Sequence, residues 1–482
     1  MPDPGPACPA LSISGLAVQR ISRMESMADA EPVRAAPAGI AGPAGSPGTG
    51  TGDFDARLVK ESFACLTANA PMAMEYFYSH LFISSPETRA MFPMEMSQMH
   101  ANFFAALSRL VWSLDGPDQS AGYLAQLGRD HRKYGVKDQN FAAFFSTLLE
   151  TMTYFGGSSW TPEMERAWLG ALDYAARTMR SAAEADARDH PAWWVGEIVA
   201  HERRTSTVAV LTIAPDKPLP YRAGQYVPVQ VSRWPRVWRP YSIAGTPRAD
   251  GLITLHVRAV PGGMVSAELV RHAAVGDTLL LGPARGEMTA PAPGDDRDLV
   301  CVAGGTGLAP IKAIVETAVA SGGERPRRIT LLAGARELTD LYDLPDLQAL
   351  ASAHPSLRII LVLSGESVLS GRVLLSAEQA GAGLTAITGM LPGAVLGCGP
   401  LEHAQIYISG PAAMVRRTAL LVAGRMPAGQ VHYDPLPARP AFDLQRTPAA
   451  SAGAPEDFRR SPLFAKFTRP GSPPGFRPVR PG

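Results

Sequence analysis

Residues 299–311 read LVCVAGGTGLAPI, and this stretch decides the fold of the second half of the chain. An apolar run ends at Ala303, glycines follow at Gly304, Gly305 and Gly307, and a helical pattern begins directly afterwards. A glycine-rich turn between a buried strand and a helix lets backbone amides and the helix dipole face a phosphate. The stretch therefore predicts a nucleotide site at the carboxyl end of a parallel strand, with an ordinary structural turn as the alternative.

Strands and helices alternate on both sides of this turn. After Asp298 the strand patterns are LVCVAG, RITLLAG, LRIILVLSG and QIYISG, and helical patterns near 308–321 and around LPDLQALAS lie between them. The last strand continues into Ser409, Gly410 and Pro411, which repeat the order of strand, turn and helix. This alternation predicts a doubly wound α/β domain over residues 297–436, with both turns at the same edge of the sheet.

Upstream, from Trp193, the apolar period changes to alternation in TVAVLTI, YVPVQV and GLITLHVRAV, with turn sequences between them. This pattern predicts an antiparallel β-barrel over residues 190–296. Within it lies RPYS, where Arg239 can pair with a phosphate, Tyr241 can lie flat on a ring system and Ser242 can bond its polar edge. A core aromatic residue is the alternative for Tyr241.

A second candidate anion site lies in GGMVS, shortly after the third strand pattern. Gly262 and Gly263 let the backbone approach a pyrophosphate, and Ser266 adds a donor. Each of these short motifs is weak by itself. Their order and spacing beside a predicted barrel favour the binding of a flat, anionic cofactor.

The first part of the chain is helical. Over residues 53–189 apolar side chains recur at helical spacing, which predicts an all-α domain. In YLAQLGRDHRKYGV, Leu124, Leu127 and His131 fall at i, i+3 and i+7, so the imidazole shares the apolar face of its helix. A core histidine without a ligand is the alternative.

Composition limits the remaining possibilities. The 482 residues suffice for roughly three domains, and Pro, Gly and Ala enrichment predicts a disordered N-terminal extension over 1–52 and a disordered tail over 437–482. Lys plus Arg number 45 against 44 Asp plus Glu, which argues against nucleic acid as a partner. Four scattered cysteines and the lack of a long apolar run lead us to expect a reduced, cytoplasmic protein without a transmembrane segment.

Residues 193–436 resemble the ferredoxin-NADP reductase superfamily, in which an FAD-binding barrel precedes an NAD(P)-binding domain. The resemblance implies that Arg239, Tyr241 and Ser242 hold FAD, and that the turn from Gly304 through Thr306 to Pro310 binds the nicotinamide nucleotide. The family's Cys-Gly-Pro beside the nicotinamide is Ser409-Gly410-Pro411 here, a conservative replacement. The Cys-Gly-Pro at 398–400 lacks a preceding apolar strand, and we interpret it as coincidence.

The helical part resembles the globin domain of flavohemoglobins, on the aromatic pair Phe77-Tyr78, the PETRAMFP turn and a histidine about 40 positions after Phe92. The resemblance implies that His131 is the proximal haem ligand, that Tyr78 is the distal tyrosine and that Phe92 covers the haem edge. The distal glutamine of the family falls at Met99 by counting, with Gln98 and His100 beside it, and the sequence leaves these three open.

Two departures lie on the proximal side. The family's proximal tyrosine is Phe141 here, and its glutamate aligns with Ala185, next to Glu184. We therefore expect the hydrogen-bond network that makes the proximal histidine more basic to be weakened or lost.

Together the resemblances cover residues 53–436 and imply haem b, FAD and NAD(P)H as cofactors. They imply a nitric oxide dioxygenase that forms nitrate from nitric oxide and oxygen. The sequence does not decide between NADH and NADPH, because Arg336 can meet a 2′-phosphate or lie in a solvated loop, and NADH is favoured by family habit only. The alternatives are a haem-containing NAD(P)H reductase that serves another acceptor, such as a protein, and a haem-based gas or redox sensor.

Overall fold

The computed structural model describes residues 54–114, 117–292, 294–321, 327–365 and 384–434. The predicted disordered segments, 1–52 and 437–482, lie outside these residues. The described chain divides into two compact units between Arg188 and Asp189. None of the helices in the described ranges combines the length and the apolar character needed to cross a membrane.

The first unit is helical. Its α-helices are α1 (Ala56–Ala68), α2 (Ala70–Ser84), α3 (Ser97–Ser113), α4 (Pro117–His131), α5 (Asp138–Gly156) and α6 (Pro162–Asp189). Short 3₁₀ helices cover Pro86–Met91, Arg132–Tyr134 and Gly157–Ser159. Asp55 begins α1 as an N-cap, since its carboxylate accepts hydrogen bonds from the Arg57 and Leu58 amides.

An aromatic core holds these helices together. Phe63 and Trp168 are buried, and the Trp168 indole donates a 2.8 Å hydrogen bond to the Ser62 hydroxyl, which ties α6 to α1. The indole is satisfied in this way without contact with water.

The second unit begins with a barrel. Its elements are β1 (Trp194–Arg203), β2 (Val208–Pro215), β3 (Tyr226–Val231), β4 (Arg239–Ser242), β5 (Ile253–Arg258), α7 (Met264–Arg271) and β6 (Thr278–Leu281). The strands lie in the order β4-β3-β6-β1-β2-β5, and every neighbouring pair is antiparallel. A bridge between Ile243 and Leu255 brings the two ends of the sheet together, so the barrel is nearly closed.

A parallel sheet follows. Its elements are β7 (Asp298–Gly304), α8 (Leu308–Ala320), β8 (Ile329–Ala335), α9 (Leu344–Ala353), β9 (Leu357–Leu363), β10 (Leu384–Thr388), α10 (Leu391–Ala394), β11 (Ala404–Ser409), α11 (Ala412–Ala423) and β12 (Val431–His432). The strand order is β10-β9-β8-β7-β11-β12. The order reverses direction beside β7, so β7 and β11 lie at the topological switch point where such sheets bind ligands.

The predicted fold class is confirmed: an all-α domain precedes an antiparallel barrel and a doubly wound parallel sheet. The exact limits of the three domains stay predictions. The strands of the last domain are almost continuously apolar, as in β7, because both faces of the sheet are covered.

Candidate active site

The predicted distal residues Tyr78 and Phe92 lie in one aromatic cluster. Tyr78 on α2 is 3% exposed, its ring stacks on His100 with centroids 5.0 Å apart, and it meets Phe92 edge-on at 5.4 Å. Burial raises the pKa of the Tyr78 hydroxyl above its ordinary value, so it stays protonated at physiological pH. With the described residues this hydroxyl makes no hydrogen bond, and it is available as a donor.

The structure distinguishes the three distal candidates on α3. Gln98 is exposed and donates to the Asn102 side chain at 2.9 Å. Met99 is half-buried against the aromatic core, whereas the His100 ring lies against Tyr78. Burial lowers the pKa of His100, which favours its neutral form. Of the three candidates, His100 is therefore the one whose polar ring stacks on Tyr78, with Met99 as its apolar neighbour.

The spacing of apolar residues places His100 on the buried face of α3. His100 precedes the buried residues Phe104, Leu107 and Val111 by four, seven and eleven positions, which places all four on one face of α3. Counting back from Phe103, which is only partly buried, leads to the neighbouring face and to Met99.

His131 is the last residue of α4. Its Nδ1 lies 2.8 Å from the Leu127 carbonyl, which as an acceptor fixes the tautomer with the proton on Nδ1 and leaves Nε2 as the free lone pair. Burial lowers the pKa of the imidazole, so the ring is neutral and suited to a metal. Among described residues its other ring contact is Tyr134, at 6.0 Å, so these contacts do not join His131 to the Tyr78 cluster.

The proximal surroundings differ from the expected alignment in one respect. Glu184 and Ala185 on α6 are exposed, whereas the next residue, Asp186, is largely buried and forms an ion pair with Arg132. Arg132 directly follows His131 in sequence. Asp186 is therefore paired with Arg132. The Nδ1–H of His131 donates instead to the neutral carbonyl of Leu127.

The RPYS segment forms the edge strand β4. Arg239 is exposed and has no carboxylate partner among the described residues, while Tyr241 and Ser242 are half-buried. Burial raises the pKa of Tyr241, which keeps its hydroxyl protonated. Among the described strands it forms a ladder only with β3, so it offers a cation, a ring and a hydroxyl along one open edge.

The second anion motif lies at the start of α7. Gly262 has φ of +71°, and Gly263 is the N-cap residue of the helix. The Ser266 hydroxyl donates to the Gly263 carbonyl at 3.2 Å and accepts from the Val260 amide at 3.3 Å, so it shapes the turn. The first-turn amides of a helix have no acceptor within the helix and suit an anion.

The two predicted turns of the α/β domain lie against each other. Ser409 pairs with Ala303 in the parallel ladder between β11 and β7. A Cβ atom on Gly307 would lie 2.4 Å from the backbone carbonyl of Ser409, and no side chain fits in that space. Gly304, Gly305, Thr306 and Gly307 therefore form one surface with Ser409, Gly410 and Pro411, as the sequence predicts.

Two further side chains adjoin these sites and were not predicted. The Arg258 guanidinium, at the end of β5, would lie 3.3 Å from a Cβ atom on Gly305. Asp434 accepts hydrogen bonds from the Glu287 and Met288 amides at 3.2 and 3.4 Å, which joins the end of the described chain to the barrel. Arg258 lies shortly before the GGMVS motif in the sequence and could have been noticed for that reason, whereas no local sequence pattern marks Asp434.

The Cys398 of the upstream Cys-Gly-Pro lies in a short turn after a 3₁₀ helix and not after a strand.

Sequence profiles of three families match the chain in order. They are the globin family over residues 75–179, the oxidoreductase FAD-binding domain over 197–289 and the oxidoreductase NAD-binding domain over 301–419. A flavohemoprotein from Bordetella pertussis is 25% identical over 321 residues, covering 62% of this chain and 79% of the relative. The chain has the domain order of the flavohemoglobins, a globin followed by FAD-binding and NAD-binding oxidoreductase domains.

Other relatives share its reductase part. A ferredoxin–NAD(P)+ reductase component of naphthalene 1,2-dioxygenase/salicylate 5-hydroxylase systems from Ralstonia is 36% identical over 253 residues, covering 51% of this chain and 70% of the relative. The chain spans 54% and 48% of the length of two further curated reductases. The crystal structure of flavohemoglobin from Malassezia yamatoensis, with bound FAD and haem, has a TM-score of 0.61 at 16% identity and covers 79% of this chain and 97% of that one.

With these three domains the protein binds haem, FAD and NAD(P)H, and the residues present fit these groups. The free Nε2 of a neutral His131 suits iron. The open edge of β4 and the amides that begin α7 suit the ring and the pyrophosphate of FAD. The glycine surface at the switch point suits a nucleotide. The protein is thus an NAD(P)H-dependent oxidoreductase that transfers electrons through FAD.

Proposed function

We propose that the protein is a nitric oxide dioxygenase, which uses electrons from NAD(P)H to convert nitric oxide and oxygen to nitrate. The observation that carries this proposal is the buried, protonated hydroxyl of Tyr78, which has no partner among the described residues and lies in a globin fused to a reductase. Haem, when bound, supplies an iron that holds oxygen and is returned to the ferrous state by the flavin.

The residues around that hydroxyl serve the reaction in two ways. Tyr78 donates a hydrogen bond to oxygen in the distal pocket, where few water molecules compete because Phe92 and Phe103 surround the ring. His100, neutral and stacked on Tyr78, fixes the orientation of the phenol ring. On the proximal side, the Leu127 carbonyl holds the imidazole of His131 in one tautomer.

NADH is the proposed electron donor. Arg336 is exposed just after β8, but Glu337 and Asp340 lie beside it and cap the same short helix. Carboxylates at this position suit ribose hydroxyl groups and repel a 2′-phosphate. Steady-state rates with NADH and NADPH test this preference, and a lower KM for NADPH would contradict it.

Nitric oxide consumption by the purified protein, loaded with haem and FAD, tests the main proposal. We expect NADH-dependent consumption with nitrate as the product. Tyr78→Phe should lower the rate between about tenfold and a thousandfold, the range seen when one preorganised donor is removed. Tyr76→Phe is the matched control, because Tyr76 lies on the same helix but stacks on Tyr154 at the surface.

An unchanged rate in Tyr78→Phe would show that the hydroxyl plays no part. Absence of nitric oxide consumption in fully loaded protein would rule out the dioxygenase itself. Both results are interpretable only if FAD content and NADH-dependent dye reduction match the wild type.

Electron delivery to a protein acceptor is the second candidate function. It is favoured by the 36% identity to a ferredoxin–NAD(P)+ reductase component, which exceeds the identity to the flavohemoprotein. Rapid reduction of a ferredoxin or cytochrome c by NADH, without nitric oxide consumption, would support this function instead.

A further inference from the structure

A buried hydrogen bond joins the barrel to the NAD-binding domain. The Nδ1 of His256, in the middle of β5, lies 2.8 Å from the hydroxyl of Tyr342, in the segment between β8 and α9. The two rings meet edge-on with centroids 5.4 Å apart, and the residues are 5% and 6% exposed. Burial lowers the pKa of His256 to about 3 and raises that of Tyr342, so the bond links two neutral groups at physiological pH.

Charged side chains extend this contact on one side. Lys312 on α8 lies 3.0 Å from Asp343 and 3.1 Å from Asp346, at the start of α9. Arg204, in the turn between β1 and β2 of the barrel, approaches the same two carboxylates at 3.8 and 3.5 Å. Asp343 is fully buried, so both cations are needed to offset the cost of burying its charge.

Apolar packing surrounds these polar contacts. Val208 and Val210 of the barrel belong to the same buried cluster as Tyr342 and Leu347 of the NAD-binding domain. The polar groups thus cross a dry interface. A dry interface of this kind could be stabilised by apolar residues alone, so the hydrogen bond contributes a defined geometry as well as cohesion.

The contact lies next to the nucleotide turn. Tyr342 and Asp343 line the same small cavity as Gly305 and Gly334, at the carboxyl ends of β7 and β8. On the other side of the bond, His256 is two residues from Arg258, which lies beside Gly305. One short path therefore leads from the barrel strand β5, through Tyr342, to the wall of the nucleotide site.

We propose that the His256–Tyr342 hydrogen bond, supported by Arg204, holds the NAD-binding domain against the FAD-binding barrel at the spacing that hydride transfer requires. Hydride transfer moves two electrons and one proton from NAD(P)H to FAD and leaves NAD(P)+. It needs the reacting atoms about 3–3.5 Å apart, so a small shift between the two domains slows it strongly. His256 and Tyr342 are positioning residues in this scheme, and their role does not depend on the terminal electron acceptor.

Tyr342→Phe tests the proposal, because it removes the hydroxyl and keeps the ring. The measurement is anaerobic stopped-flow reduction of the flavin by NADH in the full-length holoprotein. We expect the limiting rate at saturating NADH to fall about tenfold, while the NADH dissociation constant and the FAD content stay within about twofold of the wild type. A merely structural role would lower FAD content or NADH affinity without this selective effect on the rate.

Two further variants make the test specific. His256→Leu should slow reduction to a similar extent, and Tyr342→Phe/His256→Leu should be no slower than either single variant, because all three lack the same bond. Tyr407→Phe is the matched control, since that buried hydroxyl bonds Gln405 within its own strand at 2.8 Å. It should reduce the flavin at the wild-type rate.

The proposal is overturned if Tyr342→Phe reduces its flavin as fast as the wild type, or if Tyr407→Phe slows reduction equally. Additive losses in the double variant would also overturn it. Should Tyr342→Phe lose FAD, Arg204→Met provides the same test from the barrel side, with a smaller decrease of the limiting rate expected. Nitric oxide consumption does not enter any of these measurements, so failure here leaves the dioxygenase proposal standing.

Discussion

Gly128 on α4 packs directly against the backbone of α6. A Cβ atom there would lie 2.1 Å from the backbone carbonyl oxygen of Met179 on α6, and 2.7 Å from two more backbone atoms of that residue. Backbone atoms cannot rotate away as a side chain can, so Gly128→Ala must push α4 and α6 apart by about 1 Å before the contact becomes ordinary. Overpacking of this kind costs about 1–3 kcal/mol or more.

The opposing effect is helix propensity. Alanine stabilises a helix interior by about 0.5–1 kcal/mol relative to glycine, because it reduces the freedom of the unfolded chain. At Gly128 the clash outweighs this gain, and we expect net destabilisation of the globin domain. His131 follows three residues later on the same helix, so the displacement also moves the proximal ligand.

Gly122, one turn and a half earlier on α4, is the matched control. Nothing lies within 4 Å of a Cβ atom at that position, so Gly122→Ala should be neutral or stabilising by the propensity alone. Two assays compare the variants. One is urea unfolding monitored by the circular dichroism of the helices, and the other is the rate of haem transfer to an excess of an apo-globin acceptor. Gly128→Ala should unfold at lower urea and lose haem several-fold faster. If both variants gain the same stability and keep haem equally well, the close crossing of α4 and α6 is not present in solution.

Three further predictions follow from the sites. His131→Ala should abolish the Soret band of ligated haem while FAD content and NADH-dependent dye reduction persist, and a spectrum identical to the wild type would exclude His131 as the ligand. Arg239→Ala/Ser242→Ala should weaken FAD binding more than tenfold, since a charge-assisted hydrogen bond contributes about 1.5–3 kcal/mol; flavin retained through dialysis would count against it. Phe141→Tyr should leave peroxidase activity near its low wild-type level, measured with a chromogenic donor, because the acid expected at Ala185 is absent and that position is exposed.

The sequence was sufficient to predict those candidate sites whose residues are close together along the chain. The turn after β7 can be predicted because a strand, glycines and a helix follow one another in the sequence. In the structure Gly307 lies against the backbone of Ser409, with no room for a side chain between them. RPYS could be located within the predicted barrel for the same reason, although its place on an edge strand became visible only from the order of the sheet.

Contacts between segments that are far apart in the chain could not be predicted from the sequence. Asp186 lies 54 residues from Arg132, and His256 lies 86 residues from Tyr342, so no local pattern connects either pair. The choice among Gln98, Met99 and His100 on α3 stayed open for a different reason. Successive helical residues point about 100° apart, so counting back four residues leads to Met99 from Phe103 and to His100 from the buried Phe104.

The residues around His131 and Tyr78 together lead us to expect nitric oxide dioxygenation with little peroxidase activity. A carboxylate partner would give the proximal imidazole anionic character and raise the electron density at the iron, which favours the splitting of an O–O bond in peroxide. In this chain the Nδ1 proton of His131 goes to the neutral Leu127 carbonyl, and Asp186 is bound to Arg132. The imidazole is therefore a weaker donor, and peroxidase turnover should be low. The proposed dioxygenation of nitric oxide would ask less of the proximal ligand, because the Tyr78 hydroxyl would polarise oxygen from the distal side. Because the proposed dioxygenation depends on the buried Tyr78 hydroxyl, we expect the loss of the proximal carboxylate network to lower peroxidase turnover and to leave nitric oxide consumption.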